Sequence, residues 1–276
     1  MKLSWKQQGR LGDRDSLSTA LAVGALALLA GFISLPLLSL IAWTLYREAW
    51  QAMASPIAVD ALLLSAKTTA TSITILLVIG TPAAHVLARG NFRGKRILNT
   101  LVDIPVVLPP SAAGIALLLA FGRMGLLGEH LRILGINLTF TTAAVVLAEL
   151  FVATPFYVRQ AVTGFSEVDR TIEEAATVDG ARRLTRFFRI SLPLASPALV
   201  AGAITAWARA LGEFGATIIF AGNFRGTTQT LPLAIYGSME SNFNAAVALS
   251  VLVLGFAFSI ILTVRYLTRR AVEHKD

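Results

Sequence analysis

The chain has 276 residues, 55% hydrophobic and only 14% charged, with a mean hydropathy of +0.68; it is too apolar, and too poor in charge, to clothe a soluble domain, and reads as a membrane protein. It has no cysteine, which excludes disulfides, thiolate metal sites and cysteine nucleophiles, and its three histidines (His85, His130, His274) are too scattered to predict a metal site. The net charge of +8 comes from basic residues flanking apolar runs rather than from a patch with interleaved aromatics, so it reads as topology and predicts no nucleic-acid partner.

A helix needs roughly 20 apolar residues to cross about 30 Å of hydrocarbon. Six stretches qualify, at about 18–46, 60–88, 100–121, 141–165, 197–220 and 244–268, and they predict an all-α polytopic membrane protein. Residues 1–17, with Lys2, Lys6, Arg10 and Arg14, form an N-terminal tail. The apolar run behind it, Leu17 to Leu45, is too long for a signal-peptide core and lacks a clear small-residue cleavage site. It reads as an uncleaved anchor, with Pro36 expected to kink it.

Lys and Arg in the short loops set the orientation. With the N-terminus inside, the tail, the Arg89–Arg96 loop, the Arg159–Arg189 segment and the residues from Arg265 onward hold most of the basic side chains. The outer loops hold only Arg47, Arg123, Arg132 and Arg225. Both termini, including the tail 269–276, are therefore expected in the cytoplasm. Lys67 near the start of the second span suits snorkelling, and the Thr68–Thr74 run (TTATSIT) suits helix packing. His85 and Asp103 lie near cytoplasmic span ends, where solvation is expected. GNFRGKR, Gly90 to Arg96, has three rather than four residues between its glycines and no Ser/Thr after the Lys, so it reads as a positive-inside stop rather than a nucleotide loop.

The insert 166–193 is the odd stretch. Glu167 to Val178, which carries Glu173, Glu174, Ala175 and Ala176, suits a short acidic helix, and Gly180 can end that helix in a left-handed conformation. From Ala181 to Ile190, spacing puts Leu184, Phe187 and Phe188 on one face and Arg182, Arg186 and Arg189 on another. Pro193 and Pro197 are expected to bound the entry to the fifth span. A basic amphipathic helix on anionic lipid explains the second half; the small acidic first half better suits a protein cleft.

In the fifth span Gly202, Ala206 and Ala210 recur every four residues, a smooth face for close packing. Arg209 and Glu213 are also four apart and can pair. Two readings stand: a structural ion pair at a helix interface, or a pair that also lines or gates an anion path. Gly212 and Gly215 flank the acid and can let the helix bend. Asn223–Thr230, with Arg225, is a candidate outer docking loop.

The insert resembles the EAA loop of binding-protein-dependent ABC importer permeases, E-A-A, three residues, G, nine residues, I-x-L-P. It reads Glu174-Ala175-Ala176, Gly180, then Ile190, Leu192 and Pro193, with every interval kept. Two further stretches, DIPVVLPPSAAGIALLLAFGRMGLLGEHL (Asp103 to Leu131) and ARALGEFGATIIFAGNFRGTTQTLPLAIY (Ala208 to Tyr236), resemble the molybdate and tungstate branch with its sulfate relatives, the first favouring molybdate. The resemblance implies a type I ABC importer permease fold in which residues from about Thr171 to Gly180 dock on a cytoplasmic ATPase subunit. It also implies a prokaryotic inner membrane, a homodimer and an extracytoplasmic oxyanion-binding protein. No cofactor is expected on this chain; ATP and Mg²⁺ belong to the partner ATPase, and the chain itself is not an enzyme. A sulfate permease is the alternative. A secondary transporter lacks support in internal repeats, and a membrane-embedded hydrolase built on Glu213 or Asp103 lacks a paired constellation.

Overall fold

The computed structural model describes residues 5–273, with side chains described from 18 to 266. What the sequence predicts for tails 1–17 and 269–276 falls largely outside those limits. The described residues form twelve α-helices, joined by one 3₁₀ helix and one π-turn. Helix α1 (Trp5–Tyr46) runs through Pro36 and leaves Leu21, Leu26 and Phe32 exposed. It attaches near its C-terminal end, where Trp43 meets Phe243 edge-on at 5.9 Å and donates from Nε1 to Asn244 Oδ1 at 3.1 Å. The 3₁₀ helix Ala49–Ala54 then leads to α2 (Pro56–Arg89). Ser55 caps α2, accepting from the Ala58 N–H, and Pro56 occupies its first turn, so the helix begins before the expected residue 60.

The third expected span is not one helix. It divides into α3 (Lys95–Val107) and α4 (Pro110–Phe121), separated at Leu108-Pro109. The physical cause is the Pro109-Pro110 pair: neither residue can donate a backbone hydrogen bond, and each pushes the residue before it out of the helical region. Among the described residues, five helical stretches are individually long and apolar enough to cross a membrane: Ser18–Tyr46, Pro56–Arg89, Thr142–Glu167, Arg183–Leu211 and Phe243–Tyr266.

A short α5 (Gly128–Ile133) precedes α6 (Thr142–Glu167). Beyond it lie α7 (Arg170–Val178), α8 (Arg183–Arg186), the π-turn Phe187–Ser191 and α9 (Leu192–Leu211). The chain ends with α10 (Gly215–Phe220), α11 (Leu231–Ser241) and α12 (Phe243–Glu273). The last contains the stretch 244–268 expected as the sixth span and runs beyond it.

Helices α2, α6 and α9 form the centre. Buried Ala84, Ala153, Ala161, Ala195, Ala206 and Ala210 let their backbones approach, with Tyr157 and Phe165 filling the wider gaps. The expected smooth face of the fifth span is real: Gly202 is buried, and a Cβ there would lie 2.9 Å from Gln160 Cβ. Gly164 is tighter still, where a Cβ would lie 2.4 Å from Ala198 Cβ. A second core joins α4, α6 and α10 around Phe220, and a third joins α2, α11 and α12 around Leu231 and Leu249.

Candidate functional site

The insert folds differently from its expected limits. Helix α6 persists to Glu167, and from Arg183 the chain is helical to Leu211, so the part outside the long helices is 168–182. Asp169 caps α7 by accepting from the Thr171 N–H at 2.9 Å. That bond holds its carboxyl below the usual carboxylate range. At the far end Gly180 sits at φ +82°. Its N–H bonds the Thr177 carbonyl, and the Ala181 N–H bonds the Ala176 carbonyl at 2.9 Å, a glycine-dependent helix stop.

The faces of α7 divide the two glutamates. Thr171, Glu174, Ala175 and Val178 are exposed on one side. Glu173 points the other way, accepting from Ser191 Oγ at 2.7 Å and lying 3.5 Å from Arg89 Nη2. The Arg89 guanidinium also donates to the Val168 carbonyl. The expected coupling residue Glu173 is thus a brace that ties α7 to the end of α2 and to the π-turn. Glu174 and Ala175 are exposed; Ala176 is half-buried.

The remaining motif positions serve attachment. Leu192 packs with Phe187 on the central core, and Ile190 is half-buried beside it. Pro193 lies in the first turn of α9 and does not interrupt the helix from Arg183. The expected apolar face divides: Phe187 is half-buried, while Leu184 and Phe188 stay exposed. Arg186 leaves its predicted row to donate to Thr177. His85 is not simply solvated; Phe165 and Phe187 stand edge-on to it, each at 5.0 Å. Asp103 makes a forked pair with Arg159, which also donates to the Asn99 carbonyl at 2.7 Å.

Deeper in the bundle, Arg209 and Glu213 pair as their spacing predicts, with Nη2 to Oε2 at 2.7 Å. Helix α9 stops at Leu211, and Glu213 lies in the interruption before α10. Its other oxygen accepts from the Ala216 N–H at 2.8 Å, so one carboxylate holds both ends of the break. Glu213 is 2% exposed, whereas the Arg209 side chain is 28% exposed. Gly212 closes α9 with space around it, while Gly215 is pressed against Pro110, where a Cβ would lie 2.6 Å from Pro110 Cβ. Only the second glycine is sterically required.

Sequence reasoning did not single out Glu149, which is 2% exposed on α6. Thr68 Oγ1 donates to one of its oxygens and Ser72 Oγ to the other, both at 2.7 Å. On the same stripe of α2, Thr69 Oγ1 accepts from Trp207 Nε1–H at 3.3 Å and Ser65 Oγ accepts from the Leu231 N–H at 2.8 Å. The threonine-rich run is therefore a polar seam joining α2 to α6, α9 and α11. A lone acid in an apolar span was the available signal.

At the opposite end, the loop 223–230 is tied down. Arg225 pairs with Asp60 at 3.0 Å, Thr142 Oγ1 donates to the Thr227 carbonyl at 2.9 Å, and Phe224 meets Phe140 edge-on.

Residues 76–273 match the family described as "Binding-protein-dependent transport system inner membrane component". The chain is 43% identical over 233 residues to "Molybdenum transport system permease protein ModB" of Mycobacterium tuberculosis, spanning 84% of this chain and 88% of that protein. It is 31% identical over 270 residues to "Probable sulfate transport system permease protein cysT" of Chlorokybus atmophyticus, spanning 95% and 94%. The fold is similar to a chain of a bacterial alginate ABC transporter crystallised with its alginate-bound periplasmic protein, with a TM-score of 0.74, 17% identity and coverage of 94% of this chain and 96% of that one. With this fold and these matches, the chain belongs to the family of binding-protein-dependent transport system inner membrane components.

Proposed function

We propose that this chain is the permease subunit of an ATP-driven importer of molybdate or tungstate, working by alternating access and carrying out no bond chemistry itself. The observation that carries the permease reading is the exposed Thr171, Glu174, Ala175 and Val178 face of α7, braced from behind by Glu173. Small side chains permit close approach, and a free carboxylate can meet basic groups of an ATPase. Similarity to the molybdenum permease supports the substrate.

In this reading two copies pack about a two-fold axis, both termini lie on the ATPase side, and a binding protein delivers the oxyanion at the other face. ATP and Mg²⁺ bind the partner ATPases, whose closure draws the two α7 helices together. Motion of α7 passes along the helix from Arg183 to Leu211 and reaches the interruption at Gly212–Phe214, where Arg209 and Glu213 stand beside the oxyanion path. Each ligand acts only through its differential affinity for the outward-open and inward-open arrangements.

The test is ATP-dependent uptake into vesicles holding the complete transporter, with molybdate, tungstate and sulfate in competition. Molybdate uptake resisting a large sulfate excess is expected. Similarity to the sulfate permease over nearly the whole chain favours the second reading, sulfate import, and sulfate uptake that molybdate fails to inhibit would establish it.

A further inference from the structure

Two cavities meet at Phe92, at the end of the bundle that carries α7. One, about 600 Å³, is lined by Asn91, Gly94, Lys95, Arg96 and Asn99 together with Phe92, and no acidic residue lines it. The other, about 620 Å³, runs between α2, α3 and α6, with Val86, Leu98, Leu101, Val102 and Phe151 among its apolar walls. Its one side-chain hydroxyl, Thr154, is already donated to the Leu150 carbonyl at 2.6 Å. The spacing of Leu98, Leu101, Val102 and Pro105 turns one face of α3 into that groove, yet α3 has no buried residue. That face is only partly covered: Val102 packs on the central core, while Leu98 and Leu101 stay exposed beside the basic pocket.

We propose that this pair of cavities binds one anionic glycerophospholipid, its phosphate against Lys95 and Arg96 and an acyl chain along the groove past Phe92. Charge and polarity change where a lipid changes, from an anion to hydrocarbon. The two cavities lie at the boundary end of the bundle, since Arg89, which closes α2, is bonded to Val168 just before α7. Lys95 donates to the Gly90 carbonyl at 2.9 Å, which fixes its ammonium and leaves further donors for phosphate. A free phosphate ion has no use for the groove, and a zwitterionic lipid gains less from two cations. A second copy of the chain would have to bring a carboxylate to Lys95 and Arg96. The site does not depend on which oxyanion is transported.

The test is native mass spectrometry of the detergent-purified chain, titrated with phosphatidylglycerol and phosphatidylcholine of the same acyl composition. Wild type is expected to retain one phosphatidylglycerol per chain in preference to phosphatidylcholine. The Lys95→Gln/Arg96→Gln variant should lose that preference by roughly thirtyfold, at about one basic contact's worth per charge. Ala83→Trp, on an exposed groove wall, should lower retention of both lipids and keeps the test open if the double variant fails to fold. Equal retention of both lipids by wild type, or an unchanged preference in the double variant, would overturn the proposal. So would full displacement by millimolar inorganic phosphate, or a disulfide between two Leu101→Cys chains formed equally with and without added lipid.

Discussion

Glu173 Oε1 accepts a hydrogen bond from Ser191 Oγ at 2.7 Å, tying α7 to the π-turn. Ser191 is 1% exposed, so this contact is partly buried although α7 itself is a surface helix. Adjacent glutamates of the EAA loop thereby take unlike roles, one inward and one outward.

Glu173→Ala is expected to destabilise the chain by about 1–3 kcal/mol, since it removes the carboxylate that accepts from Ser191 and leaves Arg89 only the Val168 carbonyl. Glu174→Lys should leave the melting temperature within about a degree of wild type, because its side chain is exposed, and should abolish ATP-coupled uptake. Thermal melts of both variants, paired with vesicle uptake, check the division. Wild-type uptake by the Glu174→Lys transporter would remove α7's exposed face from the coupling mechanism.

The Arg209–Glu213 pair should respond asymmetrically. Arg209→Ala leaves a carboxylate that is 2% exposed without its cation, a loss of about 3 kcal/mol. Glu213→Gln leaves an arginine with partial access to water and retains an oxygen for the Ala216 N–H, so about 1 kcal/mol is expected. Denaturation in mixed detergent micelles ranks the two; a Glu213→Gln loss equal to or above that of Arg209→Ala would contradict the geometry.

Glu149→Gln should cost about 1 kcal/mol or less, since an amide still accepts from one of Thr68 and Ser72. Glu149→Ala empties the seam between α2 and α6 and should cost about 2–4 kcal/mol. A chemical-denaturation series of the two variants distinguishes a seam held by hydrogen bonds from one held by shape alone, for which both variants would lose alike.

Gly164→Ala should be destabilising by about 1–3 kcal/mol because its new methyl would lie 2.4 Å from Ala198 Cβ. Adding Ala198→Gly should restore most of that loss. Failure of the second substitution to rescue the first would show that α6 and α9 are not in the contact described.

Several of these features were legible in residue spacing. The Arg209–Glu213 pair, the Gly202–Ala206–Ala210 face and the Gly180 stop each depend on one helix, where intervals of three and four residues suffice. The break at Pro109-Pro110 was written in the sequence too, but continuous hydropathy from 100 to 121 hid it, because transfer free energy is indifferent to backbone donors. What spacing could not supply was which face of α7 the bundle takes, since an amphipathic pattern with two adjacent glutamates fits either assignment. The partners of Glu149 were hidden for a related reason: Thr68 and Ser72 lie far away in the chain, and only the packing of α2 on α6 brings them together.

The π-turn Phe187–Ser191 makes the helix from Arg183 to Leu211 behave as two shafts joined by a keyed coupling. One residue beyond an α-helical count is absorbed there, and each residue turns a helix by about 100°. Removing a single residue from 187–191 would convert the joint to plain α-helix and rotate Arg183, Leu184 and Arg186 by that angle against the membrane part. The angular setting of the α7 brace on the bundle is therefore stored in one surplus residue, and length polymorphism at this point would retune it without altering any side chain that touches a partner.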